Sequence, residues 1–213
     1  TMRNTLFTLT LLCGFIFSAT LHVPSDYGTI QDALNAASHG DIGSPQLWDT
    51  VAVAPGYYMD GPYIIDKNVV LASHAVTQDN IETLEWEDDD ITGYQVTNDN
   101  ITGTHLSGIT FDANSDMGSI VIINSPSGQC IEPQVLGFTI EYGKGSIVSK
   151  DDIVKRAGGG ILSLNANPTI NFNNIQGNSN DLSPMDQGGG VDNLGDDFGL
   201  GRSTGNRDVC DVD

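Results

Sequence analysis

One short amphipathic helix set in front of evenly spaced β-rich runs constrains this chain more than any other feature. Between Leu21 and Ser73 it reads LHVPSDYGTIQDALNAASHGD, then TVAVAPGYY, then KNVVLAS. Thr29 is placed to cap a helix, Asp32 falls at the third helical position, and Ile30, Ala33, Leu34 and Ala37 share one face. That apolar face must cover something. The runs that follow, VAVA at 51–54 and VVLA at 69–72, are short strands, so the natural partner of the helix is the open end of a column of strands. The helix over 30–38 reads as a lid.

Self-similarity further along supports a stacked arrangement. LSGITFDAN at 106–114, LGFTIEYG at 136–143 and FNNIQGN at 172–178 each alternate apolar with small or polar residues and close in Gly or Asn, as a strand followed by a tight turn does. GSIVIINS at 118–125, GGGILSLN at 158–165 and GGGVDNLG at 188–195 form a second repeated element, its two GGG runs 30 residues apart. Together they predict four to six coils of short strands. The expected inward positions are Ile109, Phe111, Ile120, Ile122, Phe138, Ile140, Ile161, Leu164, Ile170 and Ile175. Asn165, Asn167, Asn173, Asn174 and Asn178 fall at predicted bends, where side-chain amides bond turn backbone. The acidic stretch from Val76 to Asn100 and the basic stretch from Lys144 to Ala157 interrupt the pattern and read as projecting loops.

The pattern VPSDY-x-TIQDAL-x-AA-x-x-GD, TV-x-VAPG-x-Y and KNVVL resembles the opening of right-handed parallel β-helix proteins of the pectin-lyase-like superfamily, in its secreted bacterial repeat-protein branch. The resemblance runs from about Leu21 to Leu194 and implies an all-β solenoid with a short N-terminal capping helix. That family usually runs the Gly-Asp turn straight into the first strand. Here IGSPQLWD, at 42–49, separates Gly40-Asp41 from Thr50-Val51 and is expected to be a surface insertion. The resemblance specifies architecture far more than activity, because one fold hosts many functions.

Met2-Arg3-Asn4 followed by the mostly apolar run Leu6–Phe17 has the layout of a secretory signal, with Ser18-Ala19 at the cleavage point. A lipoprotein signal through Leu11-Leu12-Cys13-Gly14 ranks second, since Leu12 stands where a small residue is expected. The expected organisation is a signal peptide over 1–19, a β-helix domain over 20–195, and an acidic Gly/Asp-rich tail over 196–213 that lacks an apolar cap and reads as truncated. The whole chain carries a formal charge of −20, and removing the signal leaves 7 Lys+Arg against 28 Asp+Glu, or −21. Such a surface repels phosphate backbones and anionic lipid, which argues against nucleic acid as a partner. Uronate polymers are awkward for the same reason unless calcium bridges the two. Cys130 and Cys210 can pair in an oxidising compartment or stand as free thiols, and the sequence leaves both open.

Catalytic constellations are sparse. A lyase of the pectate type needs a strong base beside bound calcium, and Arg156, next to Lys155, is the candidate, weighed against a solvated loop charge. A polygalacturonase-like hydrolase needs converging carboxylates. The motifs of that family are missing, and the run Glu85–Asp90 reads as solvated surface. GYYMD at 56–60 and LGRS at 200–203 match fragments of pectin methylesterase motifs without the catalytic aspartate between them. Asp192, Asp196 and Asp197 are the candidate calcium ligands, in a spacing that fits no standard loop. Tyr57, Tyr58 and Tyr63 are the candidate sugar-stacking residues. The sequence therefore predicts a secreted or cell-surface, noncatalytic module for extracellular polysaccharide. A degenerate or truncated calcium-dependent lyase is the first alternative, and a structural adhesin or stalk segment the second.

Overall fold

The Thr29 hydroxyl accepts the Asp32 N–H at 3.1 Å, and the helix it caps, α1 (Ile30–Ala36), buries Ile30, Ala33 and Leu34. In the computed structural model of this chain, the described residues are 18–73, 76, 85–87, 90–92, 103–108, 118–126, 129–150, 153–179 and 191–194. A strand the sequence did not announce, β1 (Thr20–Val23), precedes α1. After a 3-10 turn at Pro45–Leu47 come β2 (Thr50–Val53), β3 (Gly56–Tyr58), β4 (Tyr63–Ile65) and β5 (Val70–Ser73). Two short strands, β6 (Glu85–Glu87) and β7 (Asp90–Thr92), pair antiparallel within the acidic stretch read as a loop. Then follow β8 (Thr104–Ser107), β9 (Val121–Asn124), β10 (Gln134–Leu136) and β11 (Thr139–Glu141). An antiparallel hairpin, β12 (Ser146–Lys150) with β13 (Ile153–Ala157), occupies the stretch expected to be a second loop. The described elements end with β14 (Ile161–Leu164), β15 (Thr169–Asn171), β16 (Asn174–Gln176) and β17 (Val191–Leu194).

The protein is mostly β, and its three larger sheets are parallel throughout. The first sheet has the order β1-β2-β5-β10-β15, the second β16-β11-β8-β3, and the third β17-β14-β9-β4. Strands enter these sheets in rotation. From β2 to β5 the chain visits first, second, third and first again; β8 to β11 and β14 to β17 continue the same cycle, with the two antiparallel pairs as excursions. Parallel neighbours need a crossover between them, and here the other two sheets supply it.

All three sheets and α1 share one core. Leu21, Val51, Leu71 and Val135 enter it from the first sheet, Leu106 and Ile140 from the second, and Tyr63, Val121 and Ile161 from the third. Burying side chains of this size stabilises by roughly 1.5–3 kcal/mol each. Ile120, Phe138, Ile140 and Ile161 point inward as expected, and Ile170 and Ile175 pack half-buried against the same cluster. Ile122 and Leu164 do not join it. Ile120 sits in the bend before β9 rather than within the strand, so alternation restarts at Val121 and sends Val121 and Ile123 inward, leaving Ile122 half-buried outside. Leu164 lies three residues after Ile161, a spacing that cannot share one face of a strand, and it packs in a separate cluster. Ile109 and Phe111 lie outside the described residues.

Two asparagines tie the second sheet to its turns by one repeated device. Asn173 accepts from Phe138 N–H at 2.9 Å and donates to the Val135 carbonyl at 2.7 Å. Asn178 accepts from Gly143 N–H and donates to the Ile140 carbonyl, both at 2.8 Å. Both reach back 35 and 38 residues, which makes each a rung bonding one layer to the layer before. Asn165 holds φ at 51°, a conformation that suits a turn asparagine. Asn174 departs from the expected role and lies in strand β16 with its side chain exposed.

Candidate functional site

The outer faces of the three sheets differ in what covers them. On the first, Val70, Ala72 and Leu136 lie under Trp48, Val76 and half-buried Phe172. Trp48 belongs to the insertion expected at the surface, yet it is buried, donating its indole N–H to the Asp41 carbonyl at 2.7 Å. Asp49 beside it accepts the backbone N–H groups of Ala19 and Ser38, both at 2.7 Å, which pins the insertion to the chain before β1 and after α1. On the third sheet, Leu162 is covered by Val148 and Ala157 of the β12–β13 hairpin, with Leu164 half-buried alongside.

The second sheet carries a polar and aromatic strip instead. Strand register sets Tyr57, His105, Thr139 and Asn174 in one row and Ser107, Glu141 and Gln176 in the next. Rows cross strands spaced about 4.8 Å apart, so side chains on neighbouring strands touch. The Tyr57 and His105 rings stack, with centroids 4.2 Å apart and an interplanar angle of 18°. His105 Nδ1 lies 3.2 Å from Glu141 Oε1, and Gln176 Nε2 donates to Glu141 Oε2 at 3.4 Å. Each carboxylate oxygen thus has its own partner. In the tautomer that carries its hydrogen on Nδ1, the imidazole donates to the carboxylate and presents an acceptor at Nε2. Glu141 is buried at 7% exposure, whereas Tyr57, on the edge strand β3, is 68% exposed. In the same row, between His105 and Asn174, the buried Thr139 Oγ1 has no hydrogen-bond partner among the described residues, an unusual state for a buried hydroxyl.

The three candidate tyrosines are placed very differently. Tyr57 alone of the three projects into solvent. Tyr58 is half-buried against the core and donates its hydroxyl to the Ala54 carbonyl at 3.0 Å. Tyr63 has no exposed surface and donates to Asp60 Oδ1 at 2.6 Å, so it is a core residue and cannot stack on a sugar. Its place is fixed by alternation along β4, where Tyr63 and Ile65 face inward and Ile64 outward. Burial, and then the hydrogen bond to Asp60, raise the Tyr63 phenol well above its usual range. Burial, and then the Asp60 charge, raise Tyr58.

Arg156 is not part of the strip. It stands opposite Ile147 in the hairpin that covers the third sheet, and its Nη1 donates to the Gly145 carbonyl at 2.9 Å. Of the candidate calcium ligands, Asp192 lies in β17 in register with Leu162, and Asp196 and Asp197 lie outside the described residues. Among the described residues there is no group of three or more His, Cys, Asp or Glu side chains placed to hold a metal. Cys130 is disulfide-bonded, while Cys13 and Cys210 both lie outside the described residues. Among the described residues, no helix is long and apolar enough to cross a membrane.

His105, Glu141 and Gln176 were not singled out by the sequence. The signal was present in the repeats but read in another register. Aligned on their strand apolar residue, THLSG, TIEYG and NIQGN superpose Leu106, Ile140 and Ile175, and the flanking positions become the two outer rows. Taking LSGITFDAN as the strand put His105 before the repeat rather than inside it. No protein-family model matches this chain, and no curated protein or solved structure does so.

Proposed function

We propose that this chain is a right-handed parallel β-helix module of the pectin-lyase-like kind, exported from the cell, which binds extracellular polysaccharide on the outer face of its second sheet without catalysing a reaction. Support for the coil comes from the rotation of strands through three parallel sheets around one core, with α1 against β1, β2 and β4. Parallel crossovers are almost always right-handed, which supports that hand. The observation that carries the binding reading is the difference between outer faces. Two of the three are partly roofed by apolar clusters, over Val70, Ala72 and Leu136 on the first sheet and over Leu162 on the third, and the second presents an exposed tyrosine stacked on a histidine that is hydrogen-bonded to a carboxylate. An aromatic face with planar polar groups beside it suits a sugar, whose ring offers C–H groups on its faces and hydroxyls at its rim.

Arg156, the base a lyase reading requires, belongs to the hairpin over the third sheet, which favours binding over catalysis. The test is a panel of acidic and neutral polysaccharides with and without calcium, following retardation in affinity gels, unsaturated products by ultraviolet absorbance, and new reducing ends. Retardation without product is the expected result. Calcium-dependent unsaturated product overturns the noncatalytic reading in favour of a lyase, and no retardation by any polymer leaves a structural stalk segment.

A further inference from the structure

We infer that the outer face of the second sheet takes an uncharged polysaccharide rather than a uronate polymer, with Tyr57 as the stacking platform and Glu141, oriented by His105 and Gln176, as a hydroxyl acceptor. This inference rests on the binding reading above and narrows it to a chemical class. Its first support is the charge along the strip. The strands β3, β8, β11 and β16 read GYY, THLS, TIE and NIQ, without a Lys or Arg among them. Lys144 lies in the turn that follows β11, beyond the strands.

The charged group that the strip does carry is a carboxylate, set in its middle strands and held by partners on both sides. Glu141 sits between His105 on β8 and Gln176 on β16, each bonding a different carboxylate oxygen. A uronate chain lying across it would bring like charges together beside a buried carboxylate, where salt screens them much less than at an exposed surface. The whole chain, at −20, adds to that repulsion rather than offsetting it. Hydroxyls, in contrast, donate well to a carboxylate. The hydrogen bonds of a charged acceptor are roughly twice as strong as neutral ones.

The remaining groups complete a surface for neutral sugars. Tyr57 has one ring face on His105 and 68% of its surface exposed at the sheet edge. The exposed amides of Asn174 and Gln176 supply both donors and acceptors on the last strand of the same sheet. From β3 to β16 the strip crosses four strands, about 14 Å at the usual spacing, which fits an extended oligosaccharide better than a single sugar.

The experiment is affinity-gel retardation of the full chain on soluble β-glucan, xylan and galactomannan, and on polygalacturonate with and without calcium, for wild type, Tyr57→Ala and Glu141→Gln. Retardation by at least one neutral polymer is expected, unaffected by added salt. Tyr57→Ala should weaken it about tenfold or more, as truncation of an aromatic anchor does. Glu141→Gln keeps the shape and should weaken binding severalfold, with a urea midpoint confirming that the variant is folded. Retardation confined to polygalacturonate, with or without calcium, overturns this inference while leaving a polysaccharide-binding module in place. No retardation by any polymer overturns both.

Discussion

The first and second sheets are built from strands of similar length, yet their outer faces carry opposite chemistry. On the first, Val70, Ala72 and Leu136 form an apolar patch, which Trp48 of the eight-residue insertion covers together with Val76 and Phe172. On the second, the outer positions hold His105, Glu141 and Gln176, hydrogen-bonded to one another, and Tyr57, whose exposed ring stacks on His105. A sheet face that is apolar must find a roof, because water will not cover it cheaply. A face whose polar side chains bond one another needs no apolar roof. The contrast teaches that the inner rows specify the architecture, whereas the outer faces differ in whether the chain covers them with its own apolar side chains.

Removing the roof should cost most. Trp48→Ala leaves a cavity over Val70, Ala72 and Leu136 and is expected to destabilise by about 3–5 kcal/mol, read as a fall in urea midpoint. A loss below about 1 kcal/mol would erase the difference between the two faces. Gly40→Ala attacks the same roof from beneath, since a Cβ there runs into the Trp48 indole. Overpacking of this kind should cost about 1–3 kcal/mol, less than removing the tryptophan. Near-neutral behaviour would mean that Trp48 can move aside, and the roof would be softer than its burial implies.

On the second sheet, stability should reside in the turns and not in the strip. Asn178→Ala strips partners from the Gly143 N–H and the Ile140 carbonyl and should cost about 1–3 kcal/mol by chemical denaturation. The pH dependence sharpens the same point from the third sheet. The Tyr63 phenol is raised in the folded protein, so its contribution is fully present below the unfolded value near pH 10 and declines above it, as only unfolded chains ionise. Tyr63→Phe should remove part of that alkaline decline while costing about 1 kcal/mol at neutral pH. Denaturation midpoints of both proteins from pH 8 to 11 would check it, and parallel alkaline limbs would count against it. Smallest of all, Tyr57→Ala should change stability by no more than about 0.5 kcal/mol, as an exposed substitution does.

How much of this was legible follows the same division. Helix α1 was readable because Thr29, Asp32 and the run Ile30, Ala33, Leu34 combine a cap with a 3.6-residue period, and those signals are local. Parallel strands in a repeating order were readable from the spacing of short apolar runs. The outer-face chemistry was not, because it depends on register. A shift of one residue exchanges inside for outside, which is how Ile122 was placed in the core and Tyr63 among sugar platforms. Trp48 was missed for a different reason. Its role is to cover a patch that forms only when β5 and β10 pair, 64 residues apart in sequence at Val70 and Gln134. Arg156 looked available because it forms a basic pair with Lys155, whereas its surroundings are set by the pairing of β12 with β13.

The comparison between the two faces rests most heavily on Tyr57, and affinity-gel retardation of Tyr57→Ala on whichever polysaccharide retards the wild type tests it most directly. A drop in affinity of about tenfold or more, at an unchanged urea midpoint, is the predicted result. Undiminished retardation would contradict the account, since it would move recognition off the second sheet.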